Sequence, residues 1–148
     1  MTVTLDGETL TPADVVAVVR EEEPVAVAAD ARERVRTARE RVEDVLDSGE
    51  AVYGLNTGFG ELVNERIPPE RVADLQTNLL RSHAAGAGRE CTTDEVRAML
   101  VTRVNALVKG HSGIREEVVD HLVTMLNEGV HPVVRSRGSL GASGDLAP

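Results

Sequence analysis

The 148 residues are 41% hydrophobic and carry sixteen basic against twenty-five acidic side chains, for a net charge of −9. That length and apolar content suit a globular chain with a buried core, and the acidic balance excludes a phosphate backbone or an anionic membrane surface as partner. Tyr53 and Phe59 are the only aromatic residues, so the core must be aliphatic, and no base-stacking surface is available.

Lys109 is the sole lysine. A surface so acidic and poor in lysine is compatible with a high-salt cytoplasm, where screening relieves self-repulsion and unfolding becomes salt-sensitive. The single cysteine, Cys91, permits no internal disulfide and fits a reducing compartment. No apolar run reaches the length of a membrane span, and Met1 to Leu10 lacks the basic start of a signal peptide, so the expected location is cytoplasmic.

In chain order, Val3 to Leu5 alternates like a short strand and meets a turn at Asp6-Gly7. Thr11-Pro12 opens a helix through Val15, Val16 and Val19, closed by Glu21 to Pro24. From Asp30 the apolar residues Ala31, Val35, Ala38, Val42, Val45 and Leu46 recur at helical spacing, with Asp30 and Glu33 as an expected capping box and Gly49 as the stop. Val52 to Gly60 reads as a glycine-rich loop.

Pro69 is placed to begin a helix that turns Val72, Leu75, Leu79 and Leu80 inward and ends near Gly86 and Gly88, with His83 in its last turn. Thr92 and Glu95 form a second expected capping box, followed by an apolar face of Val96, Met99, Leu100, Val104, Leu107 and Val108 that stops at Gly110. A further helix carries Val118, Val119, Leu122, Val123 and Leu126 to Gly129, with Pro132 beyond. Ser136 to Pro148 reads as loop. Without repeats or a low-complexity linker, residues 1–148 are expected to form a single, mainly helical unit.

Two segments hold residues suited to chemistry. In Gly141-Ala142-Ser143-Gly144-Asp145, small residues let the nitrogen of Gly144 approach the carbonyl carbon of Ala142 and close a five-membered ring. Loss of two waters would leave a methylidene electrophile, a function no ordinary side chain supplies. The same residues read alone are also an ordinary flexible loop. A serine-hydrolase nucleophile elbow is discounted, since no glycine stands two residues after Ser143. In Tyr53-Gly54-Leu55-Asn56-Thr57-Gly58-Phe59-Gly60, the lone tyrosine is either a surface phenol or a base whose pKa must fall from about 10 through neighbouring charge or hydrogen bonds.

His83 at a helix end reads equally as a cap on the last carbonyls. His111, His121 and His131 make no metal-ligand spacing with carboxylates. Lys109 to Gly113 lacks the spacing of a phosphate loop, which leaves Lys109 structural.

Four blocks in order, Tyr53 to Gly60, Ser82 to Gly88, Asn105 to Gly113 and Gly138 to Pro148, resemble the aromatic amino acid ammonia-lyases, and histidine ammonia-lyase in particular. The resemblance implies the mainly α, fumarase/aspartase-like fold of that family with a few short strands. It also implies that the chain is the amino-terminal part of the lyase, ending just after the cofactor-forming tripeptide and inactive by itself. Ala142, Ser143 and Gly144 would become a methylidene-imidazolone group, with no metal or nucleotide. Tyr53 matches the catalytic tyrosine, Gly60 belongs to its supporting loop, and His83 matches the residue that reads the substrate side chain.

The implied reaction turns L-histidine into trans-urocanate and ammonia in a homotetramer: the electrophile activates the amine as leaving group while a base removes a β-proton. Tyrosine-specific lyases and aminomutases can also place a histidine at position 83. Ser82 and Asn56 tilt the resemblance toward histidine. A truncated piece serving only folding or assembly is the reading outside enzymology.

Overall fold

The computed structural model describes residues 1–52, 55, 57 and 71–138, with the backbone alone at 72 and 73. They group into two compact units: Met1–Arg41 with Cys91–Val133, and Val42–Glu90 with Val134–Pro148.

The first unit begins as a β-α-β crossover. Strand β1 (Val3–Leu5) buries Val3 and Leu5 and exposes Thr4, the period of two that the sequence shows. Helix α1 (Pro12–Arg20) starts at a reciprocal capping box of Thr11 and Asp14. It returns the chain to strand β2 (Val25–Val27), which pairs parallel to β1 with Val3 opposite Val25 and Leu5 opposite Val27. Three residues are too short to show a strand period by themselves, and β2 takes its strand character from the partner beside it.

Helix α2 (Ala29–Ser48) follows and stops at Gly49 as expected. The capping box expected of Asp30 and Glu33 does not form. The helix starts two residues earlier than that box requires, so both carboxylates lie inside its first turns, Asp30 paired with Arg34 at 2.7 Å and Glu33 with Arg36 at 2.6 Å.

Helix α3 (Val72–His83) and strand β3 (Ala87–Glu90) come next, then helix α4 (Thr93–Leu107), helix α5 (Glu116–Asn127) and strand β4 (Arg135–Arg137). The capping box of Thr92 and Glu95 at the start of α4 is present. Pro69, expected to begin the third helix, lies outside the described residues.

The core of the first unit joins Val3, Leu5, Val18, Val25, Ala31, Val35, Val101, Val104, Val108, Val119 and Leu126, all aliphatic. On α5 the buried line is Val119 and Leu126, with Leu122 and Val123 packed beside it. Val118, one residue or about 100° around from Val119, is exposed instead of inward, and Met99 on α4 turns outward likewise. In the second unit Leu75 and Leu79 share one line of α3 and are half-buried, whereas Leu80 is 72% exposed. Ser136 and Arg137, read as loop, belong to β4.

Polar side chains fasten these elements. The Asn127 amide brackets Val25, accepting from its N–H at 2.9 Å and donating to its carbonyl at 3.0 Å, and so completes an otherwise open edge of β2. Glu116 accepts from Arg32 at 2.9 Å and from Arg36 at 3.0 Å, contacts that hold its carboxyl below the usual range. The same Arg32 reaches Asp120 at 2.6 Å and ties α2 to α5.

Arg97 is the largest departure from the pattern read in the sequence. It is 4% exposed, with Nε and Nη2 donating to the Val18 carbonyl at 3.0 and 2.7 Å and Nη1 donating to the Leu126 carbonyl at 3.0 Å. These oxygens lie in the last turns of α1 and α5, where helix carbonyls lack intrahelical donors and the dipole is negative. Nη1 also meets His131 Nε2 at 3.2 Å, and since a guanidinium only donates, that ring nitrogen is the acceptor.

Candidate functional site

Tyr53, Gly60, Ala142, Ser143 and Gly144 lie outside the described residues, so among the expected site residues the structure places His83 alone. Of the tyrosine-bearing loop, Leu55 and Thr57 are described, and Thr57 is buried.

His83 is the last residue of α3, half-buried, and its position follows from where the helix runs out of donors. The Leu79 carbonyl one turn back receives two side-chain donors: His83 Nδ1 at 2.8 Å and Ser82 Oγ at 2.9 Å. A carbonyl only accepts, so the proton of the neutral imidazole sits on Nδ1. Ser82 Oγ stands 2.9 Å from the same nitrogen and helps hold the ring plane. Nε2 then carries a lone pair, and among the described residues nothing bonds to it. The cap expected of a helix-end histidine is real, and it fixes the tautomer that leaves an acceptor on the far side of the ring.

After His83 the chain passes through Ala84 and Ala85 to β3, which pairs antiparallel with β4, Ala87 opposite Arg137 and Glu90 opposite Arg135, with a bulge between. Both strands are exposed at every residue. Arg135 bridges to Glu90 at 3.1 Å and donates to the Gly88 carbonyl at 3.4 Å.

The block Asn105 to Gly113 serves packing. Asn105 Oδ1 accepts the Gly7 N–H at 2.9 Å, and the Lys109 stem lies so close over Gly7 that a Cβ there would stand 2.8 Å from its Cγ. Gly110, at φ +79°, lies against Arg34 closely enough that a Cβ would meet Arg34 Cβ and carbonyl oxygen at 2.8 Å. His111 and His121 are exposed, and His131 is engaged by Arg97. Among the described residues no group of three His, Cys, Asp or Glu side chains could hold a metal ion, and no helix is long and apolar enough to cross a membrane.

Sequence reasoning found His83 but missed Arg97. The available signal was spacing: positions 97, 101, 104 and 108 form one helical stripe, and three of them are valine.

The family model described as aromatic amino acid lyase matches residues 10–148. A probable histidine ammonia-lyase of Halobacterium salinarum is 65% identical over 146 residues, which are 99% of this chain and 28% of that protein. This chain therefore spans a little over a quarter of that relative's length.

Among solved structures, the histidine ammonia-lyase of Trypanosoma cruzi superposes with a TM-score of 0.89 at 39% identity, over 99% of this chain and 29% of its own. The ergothioneine-degrading ergothionase of Treponema denticola superposes at 0.93 with 35% identity, over 99% and 29%. The mainly helical chain with its few short strands thus has the ammonia-lyase fold, and it belongs to the aromatic amino acid lyase family.

Proposed function

We propose that the full-length protein is a histidine ammonia-lyase that eliminates ammonia from L-histidine to give trans-urocanate, the opening step of histidine degradation. The observation that carries a hydrogen-bonding substrate side chain over a phenyl ring is the His83 ring: its Nδ1–H is committed to the Leu79 carbonyl, which leaves Nε2 as a hydrogen-bond acceptor. An acceptor there suits the N–H of a substrate imidazole, and the unpaired partner it would leave opposite a phenyl ring disfavours phenylalanine. The choice of histidine over tyrosine rests on the 65% identity to a probable histidine ammonia-lyase.

In this reading Tyr53 acts as the base that takes the β-proton, and Gly60 belongs to the loop that presents it. Ala142, Ser143 and Gly144 form the methylidene-imidazolone group, which supplies the electrophile that makes the substrate amine a leaving group. The protein works as a cytoplasmic homotetramer, with residues 1–148 as a single amino-terminal unit of each subunit. A tyrosine lyase or aminomutase is the second reading, favoured by the same acceptor, which meets a phenol O–H as readily as an imidazole N–H.

Peptide mass spectrometry of the full-length protein tests the cofactor. The peptide containing Ala142-Ser143-Gly144 is expected two waters lighter than its sequence mass, and Ser143→Ala is expected to abolish both that loss and ammonia release. A wild-type peptide of unaltered mass would overturn the proposal.

A further inference from the structure

We propose that the β3–β4 ribbon is a positioning clamp that holds the His83 helix end and the root of the tripeptide segment at a fixed separation, with Gly86 and Gly88 as the residues that let it close. This rests on the reading that His83 meets the substrate and that Ala142-Ser143-Gly144 cyclises.

Chain distance makes the first part of the argument. β3 begins at Ala87, four residues after His83, and β4 ends at Arg137, five residues before Ala142. Five residues reach at most about 18 Å even when fully extended. Pairing β3 with β4 therefore fastens two segments separated by more than forty residues of sequence, one following His83 and the other preceding Ala142 in the chain.

All seven residues of the ribbon are exposed, so it buries no apolar face, and a two-stranded ribbon without one is marginal by itself. The Arg135–Glu90 ion pair is partly exposed on both sides and adds little.

What lets the two strands close is the bare backbone at Gly86 and Gly88. A Cβ on Gly86 would lie 2.9 Å from Arg135 Cβ and 3.2 Å from its Cγ. A Cβ on Gly88 would lie 2.8 Å from Ser136 Oγ and 3.1 Å from Arg137 Cγ, at a backbone φ of +83° that other residues rarely adopt. Arg135 and Arg137, two apart on one strand, lie on the same face, and each stem covers one of the two glycines. A side chain at either glycine would lift β4 off β3. The chain leading into the tripeptide would then sample many more conformations, and ring closure depends on few.

The test compares full-length wild type with Gly86→Ala, Gly88→Ala and the size swap Gly86→Ala/Arg135→Gly. Three readouts are followed: the fraction of tripeptide two waters lighter, KM for L-histidine, and the thermal midpoint. Either single variant is expected to lower the cyclised fraction at least threefold and to raise KM several-fold, with the midpoint within a few degrees of wild type. The swap relieves the contact and is expected to recover at least half of the lost cyclisation, which a general loss of fold would not allow. Fully cyclised single variants with wild-type KM would overturn the clamp, as would a swap that recovers nothing. An uncyclised wild type would instead overturn the parent reading, and the clamp with it.

Discussion

Arg97 offers the sharpest test of how the first unit is held together. Arg97→Ala removes four donated hydrogen bonds, two to the Val18 carbonyl, one to the Leu126 carbonyl and one to His131 Nε2, from a site that is 4% exposed. Both carbonyl acceptors belong to core residues and are left without that donor, at a cost of about 1–3 kcal/mol each. The vacated volume adds a cavity penalty. A net loss of about 3–5 kcal/mol is expected from the two unmet carbonyls and the cavity together. With a urea dependence of about 2 kcal/mol/M, the unfolding midpoint should fall by roughly 1.5–2.5 M. Arg97→Lys, whose single ammonium reaches fewer acceptors, should fall between the two. A shift below about 0.3 M for Arg97→Ala would refute the reasoning, because it would mean that the two helix ends find other donors at no cost.

Two further perturbations follow from named contacts. The Asp6 carboxylate accepts from Thr9 N–H, Glu8 N–H and Thr9 Oγ–H at 2.7–2.8 Å, which brings its pKa down from 3.8 to about 2. A pKa lowered by folding stabilises above the unfolded value and loses that contribution as pH falls toward the folded one. Wild-type stability should therefore drop more steeply than that of Asp6→Asn between about pH 4 and pH 2 in urea titrations, and parallel curves would contradict the assignment. Asn127→Ala removes both bonds to Val25, one to its N–H and one to its carbonyl, and should cost about 1–3 kcal/mol by the same urea measurement. Faster amide exchange at Val25 should accompany it, and unchanged protection there would count against the edge-capping role.

The elements legible in the sequence are those whose signal is local. Thr92 with Glu95 marks a helix start because the hydroxyl and carboxylate satisfy each other's backbone within four residues. Asp30 with Glu33 carries the same pattern and forms no box, since Arg34 and Arg36 offer the carboxylates cationic partners one turn along. β2 is a strand only because β1 lies beside it, and β3 and β4, Ala-Gly-Arg-Glu and Arg-Ser-Arg, contain no residue that favours a strand. Their pairing joins residues far apart in the chain, and periodicity cannot report it.

His83 is legible as a helix-end histidine. That the same contact sets its tautomer depends on the Leu79 carbonyl and on Ser82, which the spacing places together only once the helix exists. The roles assigned to Tyr53 and to Ala142-Ser143-Gly144 come from family resemblance, because four small residues in a row are chemically silent until a fold compresses them.

The measurement that bears most directly on the central claim is a side-by-side assay of the full-length protein with L-histidine and L-tyrosine, following the ultraviolet absorbance of each unsaturated acid. The proposal predicts urocanate from histidine, strongly reduced in His83→Leu, and no product from tyrosine. Release of ammonia from tyrosine with none from histidine would contradict it.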